Sequence, residues 1–301
     1  MKREPMLVLA LPGGAPLAAA LARSLRCGWS ELALHRFPDG ETGVRIAAPI
    51  QGCRVVLAGS LDQPDAKTLP LIFAADAARE LGASQVGLVA PYLAYMRQDK
   101  RFHPGEAVTS HSYARLLSAS LDFLVTVDPH LHRVHRLDEI YSLRTQVVPA
   151  APLIARWLRG HVASPWLIGP DEESAQWVAE VARLADAPWS VLRKTRRGDR
   201  DVGVRLASPE RWPGHAPVLL DDIVSTGETM LAAASLLKKN RLSAPICIAV
   251  HALFNVEAQR RLLEAGVARV LSCDTVAHPS NAIRMAPSLA RAVRRISAAK
   301  G

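Results

Sequence analysis

Short apolar segments alternate with helical patterns along the first half of the chain. Continuous apolar runs occupy Arg54 to Ala58, Val86 to Ala90 and Phe123 to Val127, and an amphipathic helix is predicted over Thr68 to Leu81. Runs of this kind are typical of strands that are buried on both faces. Strands and helices that follow each other in this order predict a parallel sheet covered by helices, which is an α/β fold.

A second pattern, later in the chain, combines a strand, two acids, a loop and a helix. The apolar run that begins at Val218 ends in Asp221 and Asp222, and a helix is predicted from Glu228 to about Lys239. The backbone N–H groups of the loop would point at an anion bound at the positive end of that helix. Gly227 permits close approach of the backbone to such an anion.

The side chains around this loop suit a sugar phosphate. The hydroxyls of Ser225, Thr226 and Thr229 add hydrogen-bond donors for the phosphate. The acid pair would repel a phosphate, but carboxylates accept hydrogen bonds from sugar hydroxyls. A ligand with a phosphate at one end and a diol a few ångströms away, such as ribose 5-phosphate, fits this pattern. The plainer alternative is a strand and an ordinary capped helix, with acids at the strand end by chance.

Composition sets limits on size and partners. The chain has 301 residues, of which 49% are hydrophobic and 22% charged, and this predicts a globular protein with one large or two medium domains. Its net charge of +9 favours anionic partners such as polyphosphate substrates, nucleic acid or an acidic surface. The basic residues are spread along the chain and aromatic residues are few, so we expect no nucleic-acid partner.

Cysteine usage and hydropathy favour a cytoplasmic protein. The four cysteines, none of which forms a C-x-x-C pair, are Cys27, Cys53, Cys247 and Cys273. We therefore expect buried thiols in a reducing compartment rather than a zinc site. No apolar run is long enough to span a bilayer, so no membrane partner is expected. Met6 to Leu11 follows two basic residues and mimics a signal peptide, but a strand, turn and helix explain it better.

Three further motifs follow predicted strands of the first half. Phe37-Pro38-Asp39-Gly40-Glu41 has turn chemistry, and it either closes a simple hairpin or offers an aromatic face and two acceptors to a purine ring. Tyr95-Met96-Arg97-Gln98-Asp99-Lys100 would lie where open parallel sheets bind ligands, although a basic loop is often only solvated. Asp128-Pro129-His130 could hold a divalent metal or an ATP phosphate, although a lone histidine is more often structural.

These motifs together resemble the signatures of ribose-phosphate diphosphokinases, the PRPP synthetases. The three motifs and the loop from Asp221 to Met230 occur in the family's order and spacing, and the similarity extends from about Leu7 to Ile296. Type I phosphoribosyltransferases share only the last motif, so the first three favour the synthetase. The resemblance implies two phosphoribosyltransferase-like (type I) domains, each a mainly parallel sheet flanked by helices. We place them at residues 1–148, with the ATP signatures, and 149–301, with the ribose 5-phosphate loop.

The resemblance implies an ATP site in the first domain. The residues that would bind ATP are Phe37, Asp39, Gly40, Glu41, Arg97, Gln98 and His130. The hairpin residues among them would act from a neighbouring subunit, so a homo-oligomer with its ATP site at a subunit interface is expected. His130 would also lie beside the magnesium ion. The family usually carries Asp-Leu-His at this point, and Pro129 removes one backbone donor.

The resemblance also implies the sugar-phosphate site in the second domain. The residues that would bind ribose 5-phosphate are Asp171, Asp221, Asp222, Ser225, Thr226, Gly227, Glu228 and Thr229. Asp171 would join His130 beside the metal, whereas Glu172 and Glu173 replace the small residues that the family usually has there. This departure puts the contacts on the diphosphate side of the sugar in question.

Two basic residues match the start of a catalytic loop in the family. Lys194 and Arg196 would stabilise the negative charge that spreads over the phosphate oxygens during diphosphoryl transfer. Composition alone indicates a solvated basic hairpin tip instead. The resemblance therefore implies a catalytic role that composition does not.

The expected reaction joins ATP and ribose 5-phosphate to give PRPP and AMP, with Mg²⁺ as the cofactor. The sequence identifies no general base. A catalytically silent regulatory subunit and a phosphoribosyltransferase of the same fold are the main alternatives, and an RNA-binding regulator is a further one.

Overall fold

The computed structural model describes residues 4–131, 133–197, 201–206 and 212–298, without the side chains of residues 193–197 and 201–206. It is an α/β protein that divides into two compact units. The first unit extends to Val148 and also includes the residues from Ala286 onward, whereas the second unit extends from Pro149 to Met285. The predicted range of 149–301 for the second domain is therefore wrong at its carboxyl end, for a reason given below.

A six-stranded parallel sheet forms the centre of the first unit. The strands of this unit are β1 (Met6–Ala10), β2 (Gly28–Glu31), β3 (Ala33–Arg36), β4 (Thr42–Arg45), β5 (Arg54–Ala58), β6 (Gln85–Val89), β7 (Phe123–Val127) and β8 (Arg144–Val148). The spatial order in the sheet is β2-β1-β5-β6-β7-β8, and β3 and β4 form a separate antiparallel pair. The helices before residue 148 are α1 (Ala15–Leu25), α2 (Pro64–Glu80) and α3 (Thr109–Ser120).

The apolar runs of the sequence become the buried central strands of this sheet. Val55, Leu57, Leu88 and Leu124 are fully buried, as strands covered on both faces require. Helix α2 begins four residues before the predicted start at Thr68, because a proline is well tolerated in the first turn, where its missing N–H has no helical partner. Strand β2 was not predicted, since this edge strand is mostly exposed and carries no apolar run.

A seven-stranded sheet forms the centre of the second unit. Its strands are β9 (Pro165–Gly169), β10 (Trp189–Arg197), β11 (Asp201–Leu206), β12 (Ala216–Val224), β13 (Ile246–Ala252), β14 (Arg269–Cys273) and β15 (Asn281–Ile283). Their spatial order is β11-β10-β9-β12-β13-β14-β15, and every neighbouring pair is parallel except β10 with β11. The helices of this unit are α4 (Ala151–His161), α5 (Ala175–Ala185), α6 (Glu228–Lys239) and α7 (Val256–Glu264).

Two strands of this sheet are longer than their apolar runs. Strand β12 does not end at the acid pair, because Asp221 and Ile223 continue the pairing with β13 and the strand ends at Val224. Strand β10 continues through the basic residues to Arg197, because β11 pairs with it in an antiparallel hairpin. Pairing between strands supplies backbone hydrogen bonds that let polar residues extend a strand beyond its apolar segment.

The C-terminal helix α8 (Ala286–Ala298) belongs to the first unit. It packs against α1 and β8, and its side chains Leu289 and Val293 are fully buried. The guanidinium of Arg144 donates to the Ile296 carbonyl at 2.8 Å, and that of Arg54 donates to the Ser297 carbonyl at 3.3 Å. This apolar burial and these hydrogen bonds are the physical reason that the second unit ends at Met285.

The cysteines are all free thiols, of which Cys247 and Cys273 are buried and Cys27 and Cys53 half-buried. Within the described residues, no helix combines the length and the apolarity that crossing a bilayer requires.

Candidate active site

The loop between β12 and α6, predicted to bind a phosphate, leads directly into a helix N-terminus. Gly227 precedes the helix with a φ of +77°, a left-handed conformation that favours glycine. The first N–H groups of an α-helix have no partner within the helix, and the positive end of the helix dipole lies beside them. Ser225 is half-buried, whereas Thr226 and Thr229 are exposed. The loop thus brings together the N–H groups and hydroxyls that the sequence predicted for a phosphate.

Glu228 is the one acid among the predicted loop residues, and its charge is paired. Its carboxylate accepts from the guanidinium of Arg261 on α7 at 2.8 Å, with both side chains exposed. The charge of Arg261 offsets an acid that would otherwise repel a phosphate at this helix terminus. Sequence reasoning missed Arg261, because no motif links a residue of α7 to the loop.

The acid pair lies inside the last part of β12. The Asp222 N–H donates to the Asp221 carboxylate at 3.0 Å, and the Ile223 N–H donates to the Asp222 carboxylate at 2.7 Å. Burial raises the pKa of Asp221 to about 8, with the negative charges of Asp222 and Asp171 contributing in the same direction. Strand β9 pairs with β12 so that Ile168 is level with Leu219, and this register places Asp171, the third predicted acid, near the pair.

Asp171 occupies a tight turn after β9, the strand that pairs with β12. The Ser174 N–H donates to the Asp171 carboxylate at 3.2 Å, and the Ser174 hydroxyl donates to the Asp171 carbonyl at 2.7 Å. A Cβ at Gly169 would lie 2.3 Å from the Ser174 Oγ, so the turn requires glycine there. Glu172 and Glu173 are exposed and precede α5 rather than forming part of its first turn.

The two predicted catalytic residues lie in the β10–β11 hairpin. Lys194 pairs across the hairpin with Val204, and Arg196 pairs with Val202. On the other side of β10, Val191 is level with Gly169 at the end of β9. The side chains of Lys194 and Arg196 lie outside the described part of the structure, so their catalytic role stays a prediction.

In the first unit, the turn from Phe37 to Glu41 closes the β3–β4 hairpin. The Phe37 N–H donates to the Glu41 carbonyl at 2.9 Å, and the Glu41 N–H donates to the Asp39 carboxylate at 3.1 Å. Gly40 has a φ of +94°, which suits glycine at this point of the turn. The Phe37 side chain is 45% exposed, and its ring packs edge-on against the His35 ring with the two ring centroids 4.4 Å apart. The hairpin prediction is confirmed, and an aromatic side chain is accessible on it.

The loop after β6 carries the predicted ATP-binding residues Arg97 and Gln98. Arg97 is exposed, whereas the Gln98 amide oxygen accepts from the Thr109 hydroxyl at 3.4 Å. The start of the loop is held by Tyr95, which has a φ of +62° and donates its hydroxyl hydrogen bond to Asp65. That hydrogen bond raises the pKa of Tyr95 to about 12. Asp65, on α2, is a supporting residue that the sequence did not reveal.

His130 lies in the turn that follows β7, the neighbour of β6 in the sheet. Asp128 and His130 have φ values of +30° and +35°, and the His130 N–H donates to the Asp128 carbonyl at 2.8 Å. The Val127 N–H donates to the Pro91 carbonyl at 3.1 Å, which joins the ends of the two strands. The loop after β6 that carries Arg97 (the Arg97 loop) and the turn after β7 that contains His130 (the His130 turn) therefore lie at the same edge of the first sheet.

A dedicated protein cage for a metal is absent from the described residues, which contain no group of three or more His, Cys, Asp or Glu side chains able to hold an ion. Magnesium is usually held by one or two carboxylates together with substrate phosphates and waters. The crowded negative charge of Asp171 and Asp221 also fits a nearby cation, because a cation would relieve their repulsion.

Two family models match the chain. A model described as the N-terminal domain of ribose phosphate pyrophosphokinase matches residues 6–120, and a phosphoribosyl transferase domain model matches residues 146–287. The ribose-phosphate pyrophosphokinase of Methanopyrus kandleri is 35% identical over 294 residues, which cover 97% of this chain and 100% of that relative. The ribose-phosphate pyrophosphokinase of Methanosarcina acetivorans is 30% identical, with the same 97% and 100% coverage.

A solved structure shares the architecture. The phosphoribosylpyrophosphate synthetase of Mycobacterium smegmatis superposes with a TM-score of 0.85, covering 98% of this chain and 99% of its own at 23% sequence identity. This similarity confirms the predicted fold of two α/β domains with parallel sheets flanked by helices.

Proposed function

The chain belongs to the ribose-phosphate pyrophosphokinase family, and on that premise we propose that it transfers the diphosphoryl group of ATP to the 1-hydroxyl of ribose 5-phosphate. The products are PRPP and AMP. The single observation that carries the proposal is the register of β12 and its loop, because a half-buried acid pair near the end of β12 is followed, after a short loop, by a helix N-terminus suited to phosphate. One ligand with a diol and a phosphate can engage both.

In this proposal the sugar phosphate binds to the second unit. The N–H groups and hydroxyls of residues 225–229 hold the 5-phosphate, and Asp221 and Asp222 bind the ribose hydroxyls. A carboxyl whose pKa lies near 8 is largely protonated at neutral pH, so Asp221 can donate one hydrogen bond while Asp222 accepts others. Asp171 lies on the diphosphate side of the sugar.

ATP binds through residues of the first unit. The exposed ring of Phe37 offers a face for the purine base, and Asp39 and Glu41 offer acceptors for its amino group. Arg97, Gln98 and His130 hold the triphosphate. The hairpin residues act from a second copy of the chain, so the active protein is a homo-oligomer with its ATP site at the subunit interface.

The chemical step is an in-line displacement at the β-phosphorus. The 1-hydroxyl oxygen of the sugar forms a bond to that phosphorus, the bond to the oxygen of the α-phosphate breaks, and AMP leaves while the hydroxyl loses its proton to solvent. Lys194 and Arg196 stabilise the charge that spreads over the phosphate oxygens. The candidate residues for holding Mg²⁺ are His130 of the first unit and Asp171 of the second, and the ion would supply further charge neutralisation for the polyphosphate.

The first experiment measures AMP and PRPP formed by the purified protein with ATP, magnesium and ribose 5-phosphate. We expect AMP to appear only when the sugar phosphate is present, with PRPP in equal amount. Asp222→Asn should mainly raise the KM for ribose 5-phosphate, whereas Asp76→Asn, at an exposed acid of α2, serves as the matched control.

Two other outcomes would favour the alternatives. Consumption of PRPP in the presence of a free nucleobase would indicate a phosphoribosyltransferase. A folded protein that forms no AMP with ATP or with other nucleoside triphosphates would indicate a regulatory subunit.

A further inference from the structure

An ion pair joins the Arg97 loop to the segment that follows His130. One carboxylate oxygen of Asp99 accepts from the Arg133 N–H at 3.1 Å, and the other accepts from the Arg133 guanidinium at 3.0 Å. The Asp99 side chain is only 6% exposed, whereas that of Arg133 is 54% exposed. One buried carboxylate therefore fixes both the backbone and the side chain of Arg133.

This carboxylate is held in its charged form. Burial raises the pKa of Asp99, but the hydrogen bonds and the positive charge of Arg133 outweigh burial, so the pKa lies below its ordinary value. A buried charge is costly unless it is paired and hydrogen-bonded. Hydrogen bonds and charge pairing with Arg133 therefore favour the arrangement in which the two loops meet at Asp99.

Further hydrogen bonds within the first unit anchor the Arg97 loop. The Gln98 carbonyl accepts from the Ser110 N–H of α3 at 3.3 Å. The Glu106 carboxylate accepts from the N–H groups of Phe102 and His103 at 2.8 and 3.1 Å. Asp99 consequently projects from a segment that hydrogen bonds hold at Gln98 before it and at Phe102 and His103 after it.

The turn that contains His130 needs such support. Asp128 and His130 both adopt positive φ values, and non-glycine residues keep this sparsely populated conformation only where the surroundings hold it. The hydrogen bond between Val127 and Pro91 holds the turn where the strand ends, and the Asp99–Arg133 pair holds it three residues after His130. Contacts before and after the turn therefore hold it in this conformation.

We propose that Asp99 and Arg133 are positioning residues that set the placement of His130 relative to Arg97 and Gln98, and so tune binding of the triphosphate donor without touching it. This inference rests on the proposed function, since it takes His130, Arg97 and Gln98 as ligands of the triphosphate. We expect the pair to act on ATP binding, because Asp99 directly follows Gln98 in the chain and Arg133 lies three residues after His130, whereas the predicted sugar-phosphate residues are not in this segment. Its loss should raise the KM for ATP at least tenfold, while the KM for ribose 5-phosphate stays within about twofold.

The test measures both KM values and kcat for Asp99→Asn, Arg133→Met and the double variant, each with a thermal unfolding curve. If the pair acts through one contact, the double variant should be no worse for ATP than the more severe single variant. Arg133→Lys keeps the backbone donor and the charge, so it should restore much of the ATP affinity. Arg136→Met is the matched control, because Arg136 forms an exposed ion pair with Asp138 in the same segment.

The outcomes separate this inference from the proposed function. A wild-type protein that forms no PRPP overturns the function itself. An active wild-type protein whose Arg133→Met variant keeps its KM for ATP within about twofold overturns the positioning role. Equal increases in both KM values with a lowered melting temperature would show a general folding role and would also overturn it. The Arg133→Met variant tests the positioning role even if Asp99→Asn does not fold. The Arg133 side chain is largely exposed, so its replacement should not disturb folding.

Discussion

At the scale of single residues, the unusual feature of the candidate site is a carboxyl group that folding keeps protonated. Burial and the neighbouring acids Asp222 and Asp171 raise the pKa of Asp221 from 3.8 to about 8. Hydroxyl donors of a ligand or a nearby cation would act in the opposite direction, because both favour the charged form of a carboxyl group. The site therefore carries electrostatic strain that its proposed ligands relieve.

The pH dependence of stability follows from this shift. The folded protein retains the Asp221 proton that the unfolded chain loses above about pH 4, so this residue favours folding at low pH and the benefit disappears as pH rises through about 8. We expect Asp221→Asn to gain stability over the wild type progressively from about pH 4 to about pH 8. Urea unfolding across this range checks the trend, and Asp76→Asn should show none. A constant difference at all pH values would contradict the raised pKa.

A second prediction concerns the chemical step. Lys194→Ala should lower kcat by roughly two to three orders of magnitude, about 3–4 kcal/mol, because one preorganised charge is removed from the transition state. The KM for each substrate should change much less, and rapid-quench measurement of AMP formation would locate the loss in the chemical step. Lys239→Ala, at an exposed position in the last turn of α6, should leave kcat unchanged. A full rate in the Lys194 variant would remove this residue from the mechanism.

At the scale of the elements, the phosphate loop depends on one left-handed residue before α6. A Cβ at Gly227 would have room, since its nearest neighbours would be Leu262 Cδ1 at 3.8 Å and Ala258 Cβ at 3.9 Å. The requirement for glycine is therefore conformational rather than steric. The φ of +77° is the property that a substitution would disturb.

Gly227→Ala should cost about 1–2 kcal/mol of stability, because an L-residue is disfavoured in this conformation. Any relaxation of the loop would also misdirect its N–H groups, so we expect a raised KM for ribose 5-phosphate with little change in the KM for ATP. Gly160→Ala in α4 is the matched control, with nothing near its Cβ, and should be neutral or slightly stabilising. A Gly227 variant as stable as the wild type would show that the turn can relax to a negative φ.

At the scale of the whole molecule, the first unit is closed by the last helix of the chain. Helix α8 follows the second unit in sequence, yet it packs on α1 and β8. The chain therefore leaves the first unit after β8 and returns to it at Ala286. The stability of the first unit thus depends on residues that are far away in sequence.

Leu289→Ala tests this arrangement, because the side chain is fully buried in α8. We expect a loss of about 2–5 kcal/mol, the usual cost of deleting a buried leucine side chain. Hydrogen exchange followed by mass spectrometry should show faster exchange in β1, α1 and β8 than in the strands of the second unit. Leu263→Ala, at an exposed position of α7, is the control. Faster exchange confined to the second unit would contradict the placement of α8.

The sequence alone determined those features that depend on local patterns. The buried strands β5, β6 and β7, the hairpin at Phe37, and helix α6 after Gly227 lie within a few residues of their predicted positions, because apolar runs and turn residues act through their immediate neighbours. The order of the four motifs was enough to indicate the family. The same motifs named the candidate ligands of ATP and ribose 5-phosphate, although their roles remain to be tested.

The tertiary structure alone decided what depends on contacts between distant residues. Arg144 and the Ile296 carbonyl are 152 positions apart, and no local pattern predicts that their hydrogen bond helps draw α8 into the first unit. The pairing of Asp99 with Arg133 likewise requires two loops to meet at one sheet edge. Edge strand β2 forms because β1 offers it backbone partners, not because its own residues form an apolar run. The free energy that stabilises these features comes from packing and pairing between residues distant in sequence. No short segment of the sequence contains both partners of such a contact.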